Sequence, residues 1–364
     1  MAVLIKDLSI KNFKSIKELD LKCKRINLFI GKPNAGKSNI LEALSLYSGC
    51  YELNHNKFLS SFIRFDTLND LFHYKDLDNA IEVVTDLGFV TLRHYQGEND
   101  FIYSIGDDIQ HFHKRIWLDG AFEDYIYAIY RELGADSKVF PTILFLSSSS
   151  IINESNNLKR KTPWGSYLPV QKYHFDHIPK INRENASSLI YDGSNLYTIL
   201  SMYKELADYA AQFFEEYGLD YVKVQSEKTM VIQRKTGGVV DQLGFELTPD
   251  TFQRLIYHVA AIKSNRNSVL LFEEPESHSF PPYIQEFANQ VIDSEANQFF
   301  ITTHSPYLLN TFLQNKFISK DLNIVLTWFE DFQTKAKVLS KKEIDQIYGN
   351  GIDIFFNIDN YIGK

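Results

Sequence analysis

The sequence has few cysteines and no long apolar run, and both absences exclude classes of protein. Among its 364 residues only Cys23 and Cys50 are cysteines, too few for a disulfide framework or a four-thiolate zinc site. The apolar runs SVLLF and TILFL end after five residues, whereas a membrane-spanning helix needs about 18. The amino terminus also lacks the basic and apolar regions of a signal peptide. We therefore expect a cytoplasmic protein without a membrane partner.

An excess of positive charge is absent as well. The chain has 38 lysines and arginines against 46 aspartates and glutamates, a formal net charge of -8. No overall charge then attracts a polyanion, so nucleic acid is possible as a partner only through a local contact. The rest of the composition, 44% hydrophobic and 23% charged residues, is typical of a folded globular protein.

What the sequence does contain is a glycine-rich stretch, FIGKPNAGKSN, at residues 29–39. The apolar run RINLFI precedes it and predicts a strand, and SNILEALSLYSG follows it and predicts a helix ending near Gly49. A strand, a glycine-rich loop and a helix in this order are the context of a phosphate-binding loop, which a simple glycine turn does not require. The residues predicted to bind a nucleotide here are Asn34, Gly36, Lys37, Ser38 and Asn39.

The residue types in this stretch suit a nucleotide with Mg²⁺. Gly31 and Gly36 allow the backbone to bend, so that amide N–H groups and the helix N-terminus point at the β-phosphate. Lys37 would supply a cation to the β- and γ-phosphate oxygens, and the Ser38 hydroxyl would ligate Mg²⁺. We therefore predict a nucleotide and Mg²⁺ as cofactors.

A second stretch, SVLLFEEPESHSFPPY, places carboxylates at the end of an apolar strand. In an open α/β sheet, ligands bind at the carboxyl ends of the strands. Glu273 could therefore hold Mg²⁺ through water, and Glu274 could orient and deprotonate an attacking water molecule. The alternative is an acidic turn that merely closes a strand.

A third stretch, QFFITTHSPYLLN, has the same architecture. An apolar strand is followed by two threonines and then by His304, which stands just before a predicted helix. A histidine at a strand end can donate to a γ-phosphate and sense its loss. A structural turn histidine is the alternative, but the position of His304 one helix after the acidic strand favours the catalytic role.

These stretches together resemble the ATP-binding-cassette superfamily, in particular the branch of SMC heads, RecF and OLD-type ATPases. GKPNAGKSN resembles the Walker A motif, LLFEEPE the Walker B motif and ITTHSP the switch histidine, in the order of the family. IKNFKSIKELDLK resembles the hairpin near the start of proteins in this branch, which leads into the phosphate loop. The resemblance implies ATP as the nucleotide, ATP hydrolysis, and Lys14 on the opening hairpin as a further nucleotide contact.

The signature motif of this branch is less well matched. It reads like Leu-Ser-Gly-Gly or Leu-Ser-Asp-Gly and contacts the γ-phosphate across a dimer, whereas the corresponding stretch here is ELTPDTFQRLIYHVAAIKSN. Thr248 can replace the serine hydroxyl, but Asp250 stands in place of a glycine and would repel a γ-phosphate at close range. Slow turnover is therefore expected. Gln253 and Arg254 could reach the phosphates or only decorate the helix, and Gln96 is a candidate for the glutamine of the Q-loop.

The predicted fold class is α/β, a P-loop NTPase with an ABC-type head. Such a head combines a central, mostly parallel sheet with an antiparallel β layer, to which AIEVVTDLGFVTLRHYQ and DFIYSIG would belong. We expect the head in residues 1–105 and 219–364, interrupted by an inserted helix-rich subdomain in residues 106–218. A single helix is predicted from Ser194 to Gly218, followed by strands in VKVQSEKTMVIQRKTGGVVDQL that return to the main sheet.

Two further stretches bear on partners and activity. A basic and aromatic loop could bind nucleic acid or a partner protein, or be merely solvated; it comprises Lys159, Arg160, Lys161, Trp164, Tyr167, Lys172 and Tyr173. The residues after His304 lack an Asp-x-Asp pair, so we expect no TOPRIM nuclease of the kind that OLD proteins carry. Strands at NIVLTWFE and KAKVLS and a helix at KKEIDQIYG are predicted there instead.

The leading hypothesis is an ATPase that acts as a nucleotide-driven dimerisation switch. The resemblance implies a homo-oligomer built on dimers that sandwich ATP, and a separately encoded effector, by family analogy in bacterial anti-phage defence. One alternative is a nucleotide-gated scaffold that hydrolyses ATP negligibly and sequesters an effector. Another is a RecF-like DNA-binding repair ATPase.

Overall fold

The computed structural model describes residues 4–51, 59–95, 100–106, 142–147, 151–153, 168–179, 186–315, 318 and 320–362, and all structural statements concern these residues. Its strands are β1 (Asp7–Phe13), β2 (Ile16–Lys22), β3 (Ile26–Gly31), β4 (Ile81–Thr85), β5 (Gly88–Tyr95), β6 (Asp100–Gly106), β7 (Thr142–Ser147), β8 (Ile151–Asn153), β9 (Val170–Tyr173), β10 (Asp220–Val224), β11 (Thr229–Thr236), β12 (Val239–Gly244), β13 (Val269–Glu273), β14 (Gln298–Thr302), β15 (Leu322–Glu330) and β16 (Gln333–Val338).

The helices cover one face of a sheet and also lie between two sheets. They are α1 (Lys37–Ser45), α2 (Leu196–Met202), α3 (Lys204–Glu215), α4 (Asp250–Ser264), α5 (Pro281–Asp293), α6 (Pro306–Gln314), α7 (Lys341–Gly349), α8 (Ile354–Asn357) and α9 (Asp359–Ile362). Short 3-10 helices occur at Leu46–Tyr51, Leu68–Leu71, His73–Lys75 and Phe245–Leu247. Among these described helices, none is both long enough and apolar enough to cross a membrane.

The central sheet has six strands in the order β16-β15-β3-β14-β13-β9. All its pairs are parallel except β15 with β16, which form an antiparallel hairpin. Strand β3 is buried along its whole length, as expected for a parallel strand covered on both faces. Because the carboxyl ends of parallel strands share one edge, the segments after β3, β13 and β14 meet there.

An antiparallel sheet packs against one face of the central sheet. Its strand order is β2-β1-β4-β5-β6-β7-β8, and it includes the strands predicted in residues 81–106. Helix α1 lies in the core between the two sheets, where Ile40 and Leu44 are fully buried together with Phe29 and Leu271. Full burial of each such side chain contributes about 1.5–3 kcal/mol, so this core fixes the helix that follows the phosphate loop.

The other face of the central sheet is covered by helices α2 to α7. Alternate residues of each strand enter this second core, and Phe272 packs against Phe287 on α5 with ring centroids 5.3 Å apart. Leu270 lies in the same core, whereas Leu271 faces the antiparallel sheet. The predicted α/β architecture, with a mostly parallel sheet and an antiparallel layer, is therefore confirmed.

The predicted helix from Ser194 to Gly218 is wrong in one respect, because it consists of two helices. They are separated at Tyr203, whose backbone is extended (φ -109°, ψ 95°). Leu200 before the break and Leu206 after it both reach the helix-covered core. The apolar pattern therefore continues through the break, which explains why periodicity alone predicts one helix.

The strands predicted to return to the main sheet form a separate sheet instead. Strands β10, β11 and β12 pair only with one another among the described strands. The predicted hairpin turn is present at Gly237 and Gly238, which have φ values of 57° and 84°. Strand β12 is exposed along nearly its whole length, so it offers too little buried surface to join the main sheet.

The predicted domain boundaries remain predictions. Within residues 106–218, strands β7 and β8 extend the antiparallel sheet and β9 forms the edge of the central sheet. The expected strands β15 and β16 and the expected helix α7 are present near the carboxyl terminus. Helix α1 ends at Ser45 and continues as a 3-10 helix to Tyr51, slightly beyond the predicted end near Gly49.

Candidate active site

The candidate active site lies where three neighbouring parallel strands end. Strand β14 lies between β3 and β13, with Thr302 in register with both Phe29 and Glu273. The fold thereby brings the phosphate loop after β3, the carboxylates after β13 and His304 after β14 to one edge of the sheet. This is the arrangement expected from the sequence.

The phosphate loop has a left-handed backbone at two positions. Asn34 has φ 60° and Gly36 has φ 85°, and Gly36 directly precedes helix α1 without a side-chain cap. The amide groups at the start of this helix are thus oriented as a site for an anion. A side chain at Gly36 would also collide with a neighbour, because an added Cβ would lie 1.9 Å from Oγ1 of Thr334.

Two segments from distant parts of the chain brace this loop. The backbone N–H of Thr334 donates to the carbonyl oxygen of Ser15 over 2.7 Å, and their hydroxyl oxygens are also 2.7 Å apart. Nδ2 of Asn39 donates to Oγ of Ser15 over 2.6 Å. The Asn39 side chain therefore has a structural partner, and its predicted contact with the nucleotide remains a prediction.

Lys37 is buried and its ammonium group rests on the loop itself. Its Nζ donates to the carbonyl oxygens of Gly31 and Lys32 over 2.9 and 3.1 Å. Burial lowers the pKa of Lys37, while the carboxylates of Glu274 and Glu276 act in the opposite direction. Phosphate oxygens could replace these two carbonyls as acceptors, since the amine is already positioned in the loop.

Glu273, the predicted ligand of Mg²⁺, lies between cations. Nζ of Lys172 is 3.1 Å from one carboxylate oxygen and Nη2 of Arg64 is 2.9 Å from the other. Burial acts to raise the pKa of Glu273, but Lys172, a hydrogen bond from the Ser38 hydroxyl, and Arg64 outweigh it and lower the pKa to about 2. A hydroxyl and an ionised carboxylate in direct contact are the oxygen donors that Mg²⁺ prefers, so Ser38 and Glu273 fit this ion.

Glu42 on helix α1 organises these cations, although the sequence analysis did not identify it. Its side chain is fully buried and pairs with Lys14, with Nε of Arg64 at 2.9 Å and with Nζ of Lys172 at 3.9 Å. An ionised group without water around it requires such partners. Lys14, predicted to contact the nucleotide, is thus engaged in this cluster, and burial lowers its pKa.

Glu274, the predicted general base, occupies a left-handed turn. Its φ is 45°, and its backbone N–H donates to the carbonyl oxygen and to Oγ1 of Thr302 over 3.1 and 3.2 Å. Its carboxylate lies 3.3 Å from Nε2 of His304, and both side chains are partly exposed. Non-glycine residues with positive φ are uncommon, so the turn holds this carboxylate in a defined place where water can reach it.

Glu276 joins the two turns that carry the predicted catalytic residues. Its Oε1 accepts hydrogen bonds from Oγ1 of Thr303 over 2.6 Å and from the backbone N–H of His304 over 2.8 Å. Burial raises the pKa of Glu276. The pKa of His304 is lowered, first by burial and then by Lys37. Both effects favour the neutral imidazole, which can donate a hydrogen bond from one ring nitrogen and accept one at the other.

The turn before helix α4, the predicted counterpart of the signature motif, is bonded within itself. Thr248 is 7% exposed, and its hydroxyl donates to the carbonyl oxygen of Phe245 over 2.6 Å. Nε2 of Gln253 donates to the carbonyl oxygen of Thr248 over 2.8 Å. Asp250 accepts from Nε of Arg254 over 2.6 Å, which offsets the charge that was expected to repel phosphate. The contact of Thr248 with a partner's nucleotide remains a prediction.

The predicted basic and aromatic loop is only partly described. Lys172 and Tyr173 belong to strand β9 and are buried, so neither is displayed for nucleic acid. The first five residues of that loop, at positions 159–167, and the Q-loop candidate Gln96 lie outside the described residues.

Several solved structures of SMC heads are similar to this chain. An SMC head bound to the C-winged helix domain of ScpA has 13% identity and a TM-score of 0.47, covering 93% of this chain and 98% of that one. The SMC head domain from Thermotoga maritima has 12% identity and a TM-score of 0.42, with coverages of 92% and 99%. For an SMC head from Pyrococcus furiosus with an extended coiled coil, bound to the C-terminal domain of ScpA, the identity is 13%, the TM-score 0.47 and the coverages 96% and 99%. No curated protein matches the chain.

A protein family provides the stronger comparison. The family described as "AAA domain, putative AbiEii toxin, Type IV TA system" matches residues 26–310, which is more than half of the chain. The matched segment begins with strand β3 and includes the phosphate loop, the carboxylates after β13 and His304. The nucleotide-binding ATPase type inferred from the sequence is thereby confirmed, and the chain belongs to this AAA family.

Proposed function

We propose that the protein binds ATP with Mg²⁺, hydrolyses it, and uses the nucleotide to control the association of two copies. The observation that carries this proposal is the position of Glu274. Its carboxylate lies 3.3 Å from His304, on the strand edge that also carries Lys37. A carboxylate, a histidine and a lysine at a phosphate loop can position the attacking water, accept its proton and neutralise charge on the γ-phosphate.

Each residue has a separate role in this chemistry. Lys37 would neutralise the β- and γ-phosphate oxygens, and Ser38 and Glu273 would hold Mg²⁺, which supplies positive charge at the same oxygens when bound. Glu274 would orient the attacking water and accept its proton. His304 would donate to a γ-phosphate oxygen. When hydrolysis removes that contact, a change at His304 would be transmitted to the turn after β13 through Glu276, which accepts a hydrogen bond from the backbone N–H of His304.

The dimerisation step extends the same proposal. Two protomers would sandwich ATP between the phosphate loop of one and the N-terminus of α4 of the other, as the resemblance to the SMC, RecF and OLD-type branch implies. Such a switch works only if ATP binds the closed dimer more tightly than the open form. The family description names a putative toxin of a type IV TA system. The separate effector and the role in anti-phage defence rest on the resemblance to the SMC, RecF and OLD-type branch.

The substitution Glu274→Gln tests the proposal most directly. We expect turnover to fall by about 10²- to 10⁴-fold, the usual contribution of a positioned base, while ATP binding is retained and mass measurement with ATP shows accumulated dimer. Glu295→Gln is the matched control, since Glu295 is an exposed carboxylate before β14. Unchanged turnover and no ATP-dependent dimer in Glu274→Gln would contradict both assigned roles.

A nucleotide-gated scaffold with negligible hydrolysis is a second candidate. The inward-facing hydroxyl of Thr248 favours it, because the partner's γ-phosphate would then lack that donor. Tight ATP binding with turnover near background in the unmodified protein would select the scaffold. Turnover that rises with protein concentration would select the dimeric ATPase.

A further inference from the structure

Two aromatic side chains beside the phosphate loop have no role in the proposed chemistry. Tyr74 is 65% exposed and Phe332 is 75% exposed. Their ring centroids are 6.5 Å apart and their planes are inclined by 77°. The two rings form contiguous exposed apolar surface, and such surface is found at ligand-binding sites.

The backbone at both positions is unusual for an aromatic residue. Phe332 and Asp331 form the two-residue loop between β15 and β16, with φ values of 58° and 49°. Hairpin loops with two left-handed residues favour asparagine and glycine. Tyr74 has φ 48° and ψ 30°. Aromatic residues at two positions that disfavour them indicate that their side chains serve a purpose other than folding.

Both residues are attached to the braces of the phosphate loop. Thr334, two residues after Phe332, bonds Ser15 and limits the space at Gly36. His73, adjacent to Tyr74, contacts the carbonyl oxygen of Lys14 through Nδ1 at 2.7 Å. The aromatic pair is therefore held next to the segment at residues 14–15, whose Ser15 also contacts Asn39 of the phosphate loop.

The topology of the central sheet gives the direction in which a bound nucleotide extends. Strands β14 and β13, with Glu274 and His304, lie on one side of β3, whereas β15 and β16 lie on the other. The γ-phosphate must face Glu274 and His304, and the phosphate loop takes the α- and β-phosphates behind it. The nucleoside therefore leaves the loop on the side of β15 and β16, where Phe332 stands.

We propose that Tyr74 and Phe332 form a stacking platform for the purine base of the bound nucleotide. This inference rests on the proposed ATP-binding function and adds a base-binding subsite to it. One ring would stack on the base while the other contacts its edge, since the two planes are nearly perpendicular. Stacking of one base on an aromatic side chain increases the affinity of a protein for its ligand by about 5- to 150-fold.

The test compares ATP with inorganic tripolyphosphate, which lacks a base, by isothermal titration calorimetry. The variants Phe332→Asn and Tyr74→Asn remove each ring, and asparagine accepts a left-handed backbone. We expect the dissociation constant for ATP to rise at least about 5-fold in each variant, whereas that for tripolyphosphate stays within about 2-fold. Phe332→Trp should retain ATP affinity. Tyr348→Ala is the control, because Tyr348 is an exposed aromatic residue on α7.

Two results would overturn the platform while leaving the proposed function intact. One is unchanged affinity for ATP in both asparagine variants. The other is an equal loss of affinity for ATP and tripolyphosphate, which would place the effect in the phosphate loop. If the unmodified protein binds neither ligand, the proposed ATP-binding function fails, and the platform fails with it.

Discussion

The phosphate loop and the turn before helix α4 are the two surfaces that an ATP-bridged dimer would bring together, and they are stabilised differently. The loop is braced from far away, since Ser15 and Thr334 are 319 residues apart in the chain. The α4 turn is braced by its own residues, as Thr248 bonds Phe245 only three residues earlier. The geometry of the phosphate loop therefore depends on the tertiary fold, whereas that of the α4 turn depends on residues close in sequence. The role of the α4 turn across a dimer remains a prediction.

The largest expected effect contrasts two lysines of the same loop. Lys37→Ala should weaken ATP binding by at least about 30-fold, because a buried, hydrogen-bonded cation is worth about 2 kcal/mol or more to its partner. Lys32→Ala should change binding little, since Lys32 is exposed and pairs with Asp359. Calorimetric titration with ATP measures both. A larger loss in Lys32→Ala would show that the ammonium of Lys37 is not the phosphate-binding group.

The second prediction separates two effects at Gly36, the steric contact with Thr334 and the strain of a left-handed backbone. Gly36→Ala should lower the free energy of unfolding by about 2–4 kcal/mol, because the new Cβ meets Thr334 and the backbone is left-handed. Gly237→Ala is the matched control: Gly237 is also left-handed but has no atom within 4 Å of an added Cβ, so only backbone strain of about 1 kcal/mol remains. Urea unfolding measures both variants. Equal losses of unfolding free energy in the two variants would mean that Thr334 moves away from the new Cβ without a cost in stability.

The third prediction concerns the stability of the folded protein in acid. His258 is buried in helix α4, and burial lowers its pKa from 6.5 to about 3. Between these pH values the unfolded chain binds a proton that the folded protein excludes. Stability should therefore fall by up to about 1.4 kcal/mol per pH unit as the pH drops below 6.5.

His258→Leu should reduce this pH dependence, as measured by urea unfolding at several pH values below 6.5. His177→Gln is the control because His177 is exposed, and it should leave the dependence unchanged. An identical slope in His258→Leu and the unmodified protein would show that other groups account for the acid sensitivity.

The smallest effect tests the local bonding of the α4 turn. Thr248→Val removes the hydroxyl that donates to Phe245, so the free energy of unfolding should fall by about 1 kcal/mol. ATP binding by a single protomer should not change. Thr248→Ser retains the hydroxyl and should stay close to the unmodified protein. A turnover lost in Thr248→Val but kept in Thr248→Ser, at equal ATP affinity, would show that this hydroxyl acts on a partner's nucleotide.

The elements of the phosphate edge could be predicted because each is encoded locally. Strand β3, its glycine-rich loop and α1 follow one another directly, and β13 and β14 each end in polar residues of the candidate site. Parallel pairing then places their ends together without further information. The break at Tyr203 and the separate sheet of β10 to β12 depend on tertiary packing, which leaves no mark in hydrophobic periodicity.

The ion cluster around Glu42 could not be predicted for a different reason. Lys14, Arg64 and Lys172 come from three distant segments, and no spacing rule relates them to Glu42. One signal was present in the sequence: Glu42 interrupts the apolar residues of α1, at a position that the core between two sheets would bury. A charge in such a helix predicts buried partners but does not identify them.

The contact between Ser15 and Thr334 also bears on the synthesis of the protein. A ribosome makes Gly36 and the rest of the phosphate loop nearly 300 residues before it makes Thr334, given the 319-residue separation of the brace. A nascent chain that has released its amino-terminal half therefore carries the glycines and Lys37 without the hairpin that fixes them. Nucleotide binding should consequently begin only when β15 and β16 have emerged from the ribosome.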